Sequence, residues 1–331
     1  MASQGSLASV RSGRDLQTPV CDLLGIETPI IQAGMAPGYT SAELVSAVSE
    51  AGGLGILGAL FTGAENLRSE IIRTRELTPR PFGVNHVISQ LDREAFEVTL
   101  EQEPAVLSLA WGDEPQLTDL AHQHGIKVIH QVTTLEEAEA AVAAGADVIV
   151  AQGTEGGGHV GGISTLPFVP AVVDAVAPTP VLAAGGIADG RGLAAALMLG
   201  AQGALIGTRF LATPEALVSD RLRKALLGSA GSNTVASKYL DDVLGLDWPG
   251  AQVRTLRHPL LDEWADRPGQ WKDTADQLRP RLQDAVATGD FVLAGEAVGL
   301  IHDIVPAGQL LRRIADEAAD ALRGQGKAQT A

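Results

Sequence analysis

Cysteine is nearly missing from this chain, with Cys21 the only one in 331 residues. That excludes an internal disulfide and any cysteine-rich metal site, and it is compatible with a reducing compartment. Positive charge is scarce too: 24 Lys and Arg face 40 Asp and Glu, for a net charge of −16. No basic stripe offsets this balance, which argues against nucleic acid as a partner. Apolar residues nowhere run unbroken for the length of a membrane span, and the opening MASQGSLASVRSGRD has no apolar signal-peptide core. The expectation is a cytoplasmic protein that does not enter a membrane. No His/Asp/Glu cluster has metal-ligand spacing, so no metal is expected, and the missing G-x-S-x-G argues against Ser/His/Asp hydrolysis.

Glycine, by contrast, is abundant at 38 residues, in a chain that is 45% hydrophobic. This suits many tight turns between strands and helices. Short apolar runs at 29–33, 54–59, 82–88, 105–111, 126–132, 147–151, 180–184 and 203–206 predict strands. Helical patterns fall between them at 41–51, 64–76, 92–102, 115–124, 134–145, 167–177 and 189–199, with Thr40 or Ser41 as the first N-cap. Eight such units, with strands too apolar for an open face, favour a closed (β/α)8 TIM barrel, with a doubly wound sheet as the alternative. The string Gly53-Leu54-Gly55-Ile56-Leu57-Gly58 matches G-x-G-x-x-G. It follows a helix and lies within a strand, the reverse of a dinucleotide-binding turn. Residues 212–285 are charged and helical in pattern, which suggests a small helical insert over one barrel mouth; a separate second domain would have a thin core. Segments 19–211 and 286–322 then make the barrel, 1–18 a disordered leader and 323–331 a frayed tail. Cys21, in a polar approach to the first strand, is expected to be structural.

The chemistry concentrates at strand ends, where a barrel builds its sites. The stretch AQGTEGGGHVGG, 151–162, follows an apolar run and sets His159 behind three glycines. Such a loop lets backbone approach a ligand and leaves the imidazole uncrowded; the bland alternative is a flexible turn with an incidental histidine. After the seventh and eighth strands come Ala184-Gly185-Gly186-Ile187, opening a helix, and Ile206-Gly207-Thr208-Arg209. Small residues with exposed N–H groups, beside a helix N-terminus and a hydroxyl, suit a phosphate monoester. Asn85, Gln131 and Gln152 offer amides to a flat heterocycle. His86 and His130 read as buried polar residues, and His122, His124, His258 and His302 as surface or packing residues.

Taken together and in order, PIIQAGM (29–35), FGVN (82–85), AQGTEGGGH (151–159), VLAAGGIADGRG (181–192), IGTRFLAT (206–213) and GLIHDI (299–304) resemble the nitronate monooxygenase family. The likeness spans roughly residues 20 to 320, a domain-scale match rather than a single motif. It implies a (β/α)8 barrel with a helical second domain and non-covalent FMN. By resemblance, Gly34 and Met35 pack near the flavin ring, Asn85 and Gln152 hydrogen-bond it, and Gly157, Gly185, Gly186, Leu205, Ile206, Gly207 and Thr208 hold ring edge or phosphate. His159 matches the catalytic histidine, a general base that Glu155 and the glycines would aim. Two positions depart from the family pattern: Gly156 stands where alanine is usual, and Leu205 where glutamine is common. The implied activity is oxidation of alkyl nitronates by O2 to a carbonyl compound and nitrite. FMN-dependent enoyl-acyl carrier protein reductases and NADH:quinone reductases share the resemblance, and a non-catalytic FMN- or phosphate-binding barrel is a third reading. The assembly stays open, with a homodimer as the form to look for.

Overall fold

Eight parallel strands close into a barrel in the order β1-β2-β3-β4-β5-β6-β8-β9 in the computed structural model, which describes residues 16–35 and 38–324. The strands are β1 Ile30–Gln32, β2 Leu54–Gly58, β3 Phe82–Val87, β4 Val106–Ala110, β5 Lys127–Val132, β6 Val148–Gln152, β8 Val181–Ala184 and β9 Gly203–Ile206. Each lies within one of the eight segments expected from the sequence, to within a residue at the end of β6. Most of the leader 1–18 and of the tail 323–331 lies outside the described residues.

Apolar residues at both phases of the two-residue repeat explain why these strands are buried on both faces. Ile31, Ile56, Val150, Leu182 and Leu205 fill the barrel interior, while Ile30, Ile149, Ala183 and Ala204 pack outward under the helices. Those helices are α2 Ala42–Glu50, α3 Ala64–Leu77, α4 Arg93–Gln102, α5 Pro115–Gln123, α6 Leu135–Ala143, α7 Thr165–Val176 and α8 Gly190–Met198. Local signals start them: the Ser41 hydroxyl accepts from Leu44 N, and Thr134 and Glu137 form a reciprocal capping box. Before them comes α1, Pro19–Leu24, whose Val20, Cys21 and Leu24 join the interior cluster. Thr18 and Val20 bond to Gln202, just ahead of β9, so α1 plugs the N-terminal end of the barrel. Cys21 is therefore fully buried in a plug and not in a polar approach. Gly55 has a packing role, since a Cβ there would stand 2.3 Å from Val45 O; the glycine lets α2 lie against β2.

After β9 come α9 Thr208–Leu211, α10 Asp220–Leu227, α11 Tyr239–Leu244, α12 Pro259–Asp262, α13 Ala275–Ala287 and α14 Ala307–Leu322. The segment 212–285 also carries strands that its helical pattern hides, β10 Thr234–Ser237 and β11 Gln252–Leu256. They pair antiparallel, and β11 pairs in turn with β7, Gly158–Val160, so the end of the glycine loop is a strand attached to the insert. Tyr239, Val243, Val253, Trp271, Leu282 and Phe291 give the insert its own small core. The amphipathic α14 packs on α8 and α2, burying Leu310, Leu311, Ile314 and Ala318. No helix among the described residues is long and apolar enough to cross a membrane.

Candidate active site

The C-terminal ends of the barrel strands and the underside of the insert enclose a cavity of about 360 Å³. The residues that the resemblance assigns to cofactor and catalysis line it: Gly34 and Met35 after β1, Asn85 on β3, Gln152 on β6, Gly157 and His159 in the glycine segment, Gly185 and Gly186 after β8, and Leu205 to Thr208 at the end of β9. Strand ends thus gather small and polar groups from six places in the sequence onto one surface.

Two amide pairs set the polar edge. Asn85 Nδ2 donates to Ser108 O and Oγ at 3.2 Å, which leaves its Oδ1 as an acceptor. Gln131 Nε2 donates to Gln152 Oε1 at 3.1 Å, which leaves the Gln152 amide nitrogen as a donor. The pairs therefore offer one acceptor and one donor to a planar ligand with both functions. Leu205 supplies barrel-interior apolar surface where a glutamine would add a hydrogen bond. Ile206 turns its side chain into the cluster under the helices.

A second corner suits an anion. The backbone N–H groups of Gly186 and Gly207 have no acceptor among the described residues. Thr208 Oγ1 accepts from Gly295 N at 3.0 Å, so its own proton is free to donate. Gly185 and Gly186 take φ values of +98° and +74°, which aim these amides and which glycine adopts without strain. The expected help from the N-terminus of α8 is missing. Asp189 accepts from Arg191 N and Gly192 N, and Glu317 from Gly190 N at 3.0 Å. That helix end is already satisfied, and by carboxylates that would repel a phosphate.

His159 is far from uncrowded. Its ring stacks on Trp248 at 3.5 Å between centroids and 13° between planes, and meets Trp111 edge-on at 6.2 Å. Its Nε2 lies 3.0 Å from Asp241 Oδ1. Glu155 does not aim the ring: its carboxylate accepts from Thr165 N and Thr165 Oγ1, at 2.9 and 2.7 Å, tying the loop to the start of α7. Trp111 holds a left-handed φ of 59°, a strained conformation of the kind found at functional sites. Asp241, Trp248 and Trp111 were not foreseen; the only cue was the turn dipeptide Pro249-Gly250 beside Trp248. An apolar wall of Leu240, Leu244, Leu246 and Leu293 completes the side facing the insert.

The remaining histidines stand apart. His86 hydrogen-bonds Thr99 Oγ1 at 2.7 Å, and burial lowers its pKa to about 4. His130 is buried on β5 with its pKa likewise lowered by burial. His122 pairs with Asp147 at 2.8 Å, and His258 Nδ1 accepts from Leu260 N to cap α12.

Residues 17–95 and 87–317 match the family described as nitronate monooxygenase. A 5-hydroxy-7a-methyl-1-oxo-octahydro-1H-indene-4-carboxyl-CoA dehydrogenase of Mycobacterium tuberculosis is 39% identical over 251 residues, covering 75% of this chain and 68% of that one. Among solved structures, FabK from Thermotoga maritima is 34% identical with a TM-score of 0.84, over 93% of this chain and 98% of that one. A nitroalkane oxidase from Streptomyces ansochromogenes is 30% identical with a TM-score of 0.81, over 93% and 99%.

Proposed function

Because the chain belongs to the nitronate monooxygenase family and is an oxidoreductase, we propose that it binds FMN and oxidises alkyl nitronates with O2 to a carbonyl compound and nitrite. The observation that carries the reading is the meeting, in one cavity, of a phosphate-sized set of free donors, a donor–acceptor amide edge and a partly buried imidazole. The protein's own groups fit the cofactor. Gly186, Gly207 and Thr208 would hold its phosphate, Asn85 and Gln152 the polar edge of its ring, and Gly34, Met35, Gly157, Gly185 and Leu205 would pack around it. When bound, FMN supplies the two-electron redox chemistry, and the protein supplies position and electrostatics.

His159 would act on a neutral nitroalkane by taking the proton from the carbon that bears the nitro group. The C–H bond breaks, its electron pair passes into the nitronate, and the proton goes to the ring. The tryptophans and the leucine wall keep water away from that step.

A second reading, an NAD(P)H-dependent reductase acting on an acyl thioester, draws support from the apolar wall and from the likeness to FabK. Anaerobic mixing separates the two. Bleaching of the flavin by an alkyl nitronate, with NADH slow or inert, is expected. Rapid bleaching by NADH alone would move the protein to the reductase class. A colourless protein that fails to bind added FMN would overturn both.

A further inference from the structure

We infer that Asp241 is a positioning residue that locks His159 with its proton on Nε2, so that Nδ1 is the nitrogen which takes the substrate proton. The inference rests on the reading of His159 as the base. It follows from what each side chain can donate. A carboxylate has only acceptor sites, so the 3.0 Å contact between Asp241 Oδ1 and His159 Nε2 requires the ring nitrogen to donate. In a neutral imidazole the other nitrogen then carries the lone pair.

The alternative ring orientation is closed off. Asp241 and His159 side chains are only 7% and 13% exposed, and His159 is the sole side chain or backbone group recorded against the Asp241 carboxylate among the described residues. Turning the ring over would leave a buried carboxylate without a partner, which is strongly unfavourable. Trp248 covers one face of the ring and Trp111 stands against it edge-on, so the plane itself is held. Charged groups on the elements packed around the ring are turned elsewhere, with Asp242, beside Asp241, bound by Trp271 and Lys272. Glu155 is bound by Thr165, while Arg254 bonds Thr154 O and Thr234 and pairs with Glu296. None of them competes for the ring.

Apart from Trp111, which follows β4, these groups come from a short part of the insert. Asp241 lies on α11, Trp248 in the connection that follows, and Val253 on β11 pairs directly with His159. When the proton arrives on Nδ1, the imidazolium is neutralised by Asp241 a ring's width away; the proton later leaves to solvent. Asp241 touches neither substrate nor cofactor in this scheme and acts through the histidine alone.

The test has an arm that needs no turnover. FMN-loaded protein labelled with 15N in histidine is compared by NMR with the His159→Asn variant, whose spectrum lacks the signals of interest. A protonated Nε2 and an unprotonated Nδ1 in the wild type are expected, and the reverse assignment would overturn the inference. Asp241→Asn should then redistribute the tautomers and keep its flavin. Its turnover of neutral nitroalkane should fall by about 10–100-fold, as for other residues that orient a functional histidine, with pre-formed nitronate much less affected. Asp241→Glu should restore a large part. Equal losses on both substrates, or loss of flavin from both variants, would make Asp241 structural and overturn the proposal. If the wild type turns over neither substrate, the functional reading fails, while the tautomer is still decided by the spectrum.

Discussion

Gly157 and Gly295 meet backbone to backbone: a Cβ on Gly157 would stand 2.5 Å from Gly295 N, and one on Gly295 would stand 2.5 Å from Glu155 O. The carbonyl of Glu155 also accepts from Glu296 N at 2.9 Å, so the glycine loop is stitched to the connection between α13 and α14. Neither wall of the contact is the end of a flexible side chain. Gly157→Ala should therefore push the two strands of chain apart, at a cost of about 1–3 kcal/mol, and weaken flavin retention. Gly162→Ala is the control, because nothing lies within 4 Å of a Cβ there. Thermal melts and flavin-release rates of the two variants check this, and equal behaviour would remove the role assigned to the contact.

His159→Asn should keep FMN, since the anion corner is built from other segments. Turnover of neutral nitroalkane should drop by roughly 10²–10⁴-fold, the usual contribution of a positioned base. A pre-formed nitronate needs no deprotonation and should lose less. Steady-state rates on the two substrate forms in the flavin-loaded variant decide it; equal losses would refute the assignment of the base.

His86 makes stability sensitive to acid. Burial holds its folded pKa at about 4, below the 6.5 of an unfolded histidine, so between these values the unfolded chain binds more protons. The contribution is fully present above pH 6.5 and is lost as pH falls towards 4, to a total on the order of 3 kcal/mol. His86→Gln, which can still donate to Thr99, should flatten that part of the stability profile even where it lowers its height. Denaturant titrations across the window measure the slope, and an unchanged slope would show that other groups set it.

Arg209 is 2% exposed and is held by Asp303, whose Oδ1 lies 2.6 Å from its Nη2 and whose other oxygen binds Arg313. Asp303→Asn would leave a buried guanidinium short of its counter-charge, a loss of about 2–3 kcal/mol. Arg209 directly follows Thr208, so flavin should also leave faster. A variant as stable as the wild type would show that water replaces the carboxylate at no cost.

The barrel was legible in the sequence because its signals are local. Residues such as Ile149, Val150 and Ala151 are apolar at both phases, and short polar or glycine-rich turns separate each strand from its helix. The cavity residues were legible for the same reason: Asn85, Gln152, Gly186 and Thr208 all stand where a strand ends. What escaped depends on distant partners. Asp241 is one of two adjacent acidic residues on a short helix, and nothing in YLDDVL marks it as facing His159. The strands β7 and β11 are short, and only their pairing makes them strands. The self-capping of α8 is legible in the sequence, since Asp189 precedes Gly190 as a standard N-cap.

The pairing of His159 with Val253 also bears on the order in which the molecule can assemble. All the barrel strands are synthesised before β11, which must then close a loop of nearly a hundred residues back to His159. A newly made chain would therefore gain the contacts proposed for phosphate and ring, at the ends of β1, β3, β6, β8 and β9, before β11 exists to set the histidine strand. On the proposed function, cofactor capture would then precede catalytic competence, and in a chain made by cell-free synthesis flavin binding should run ahead of activity.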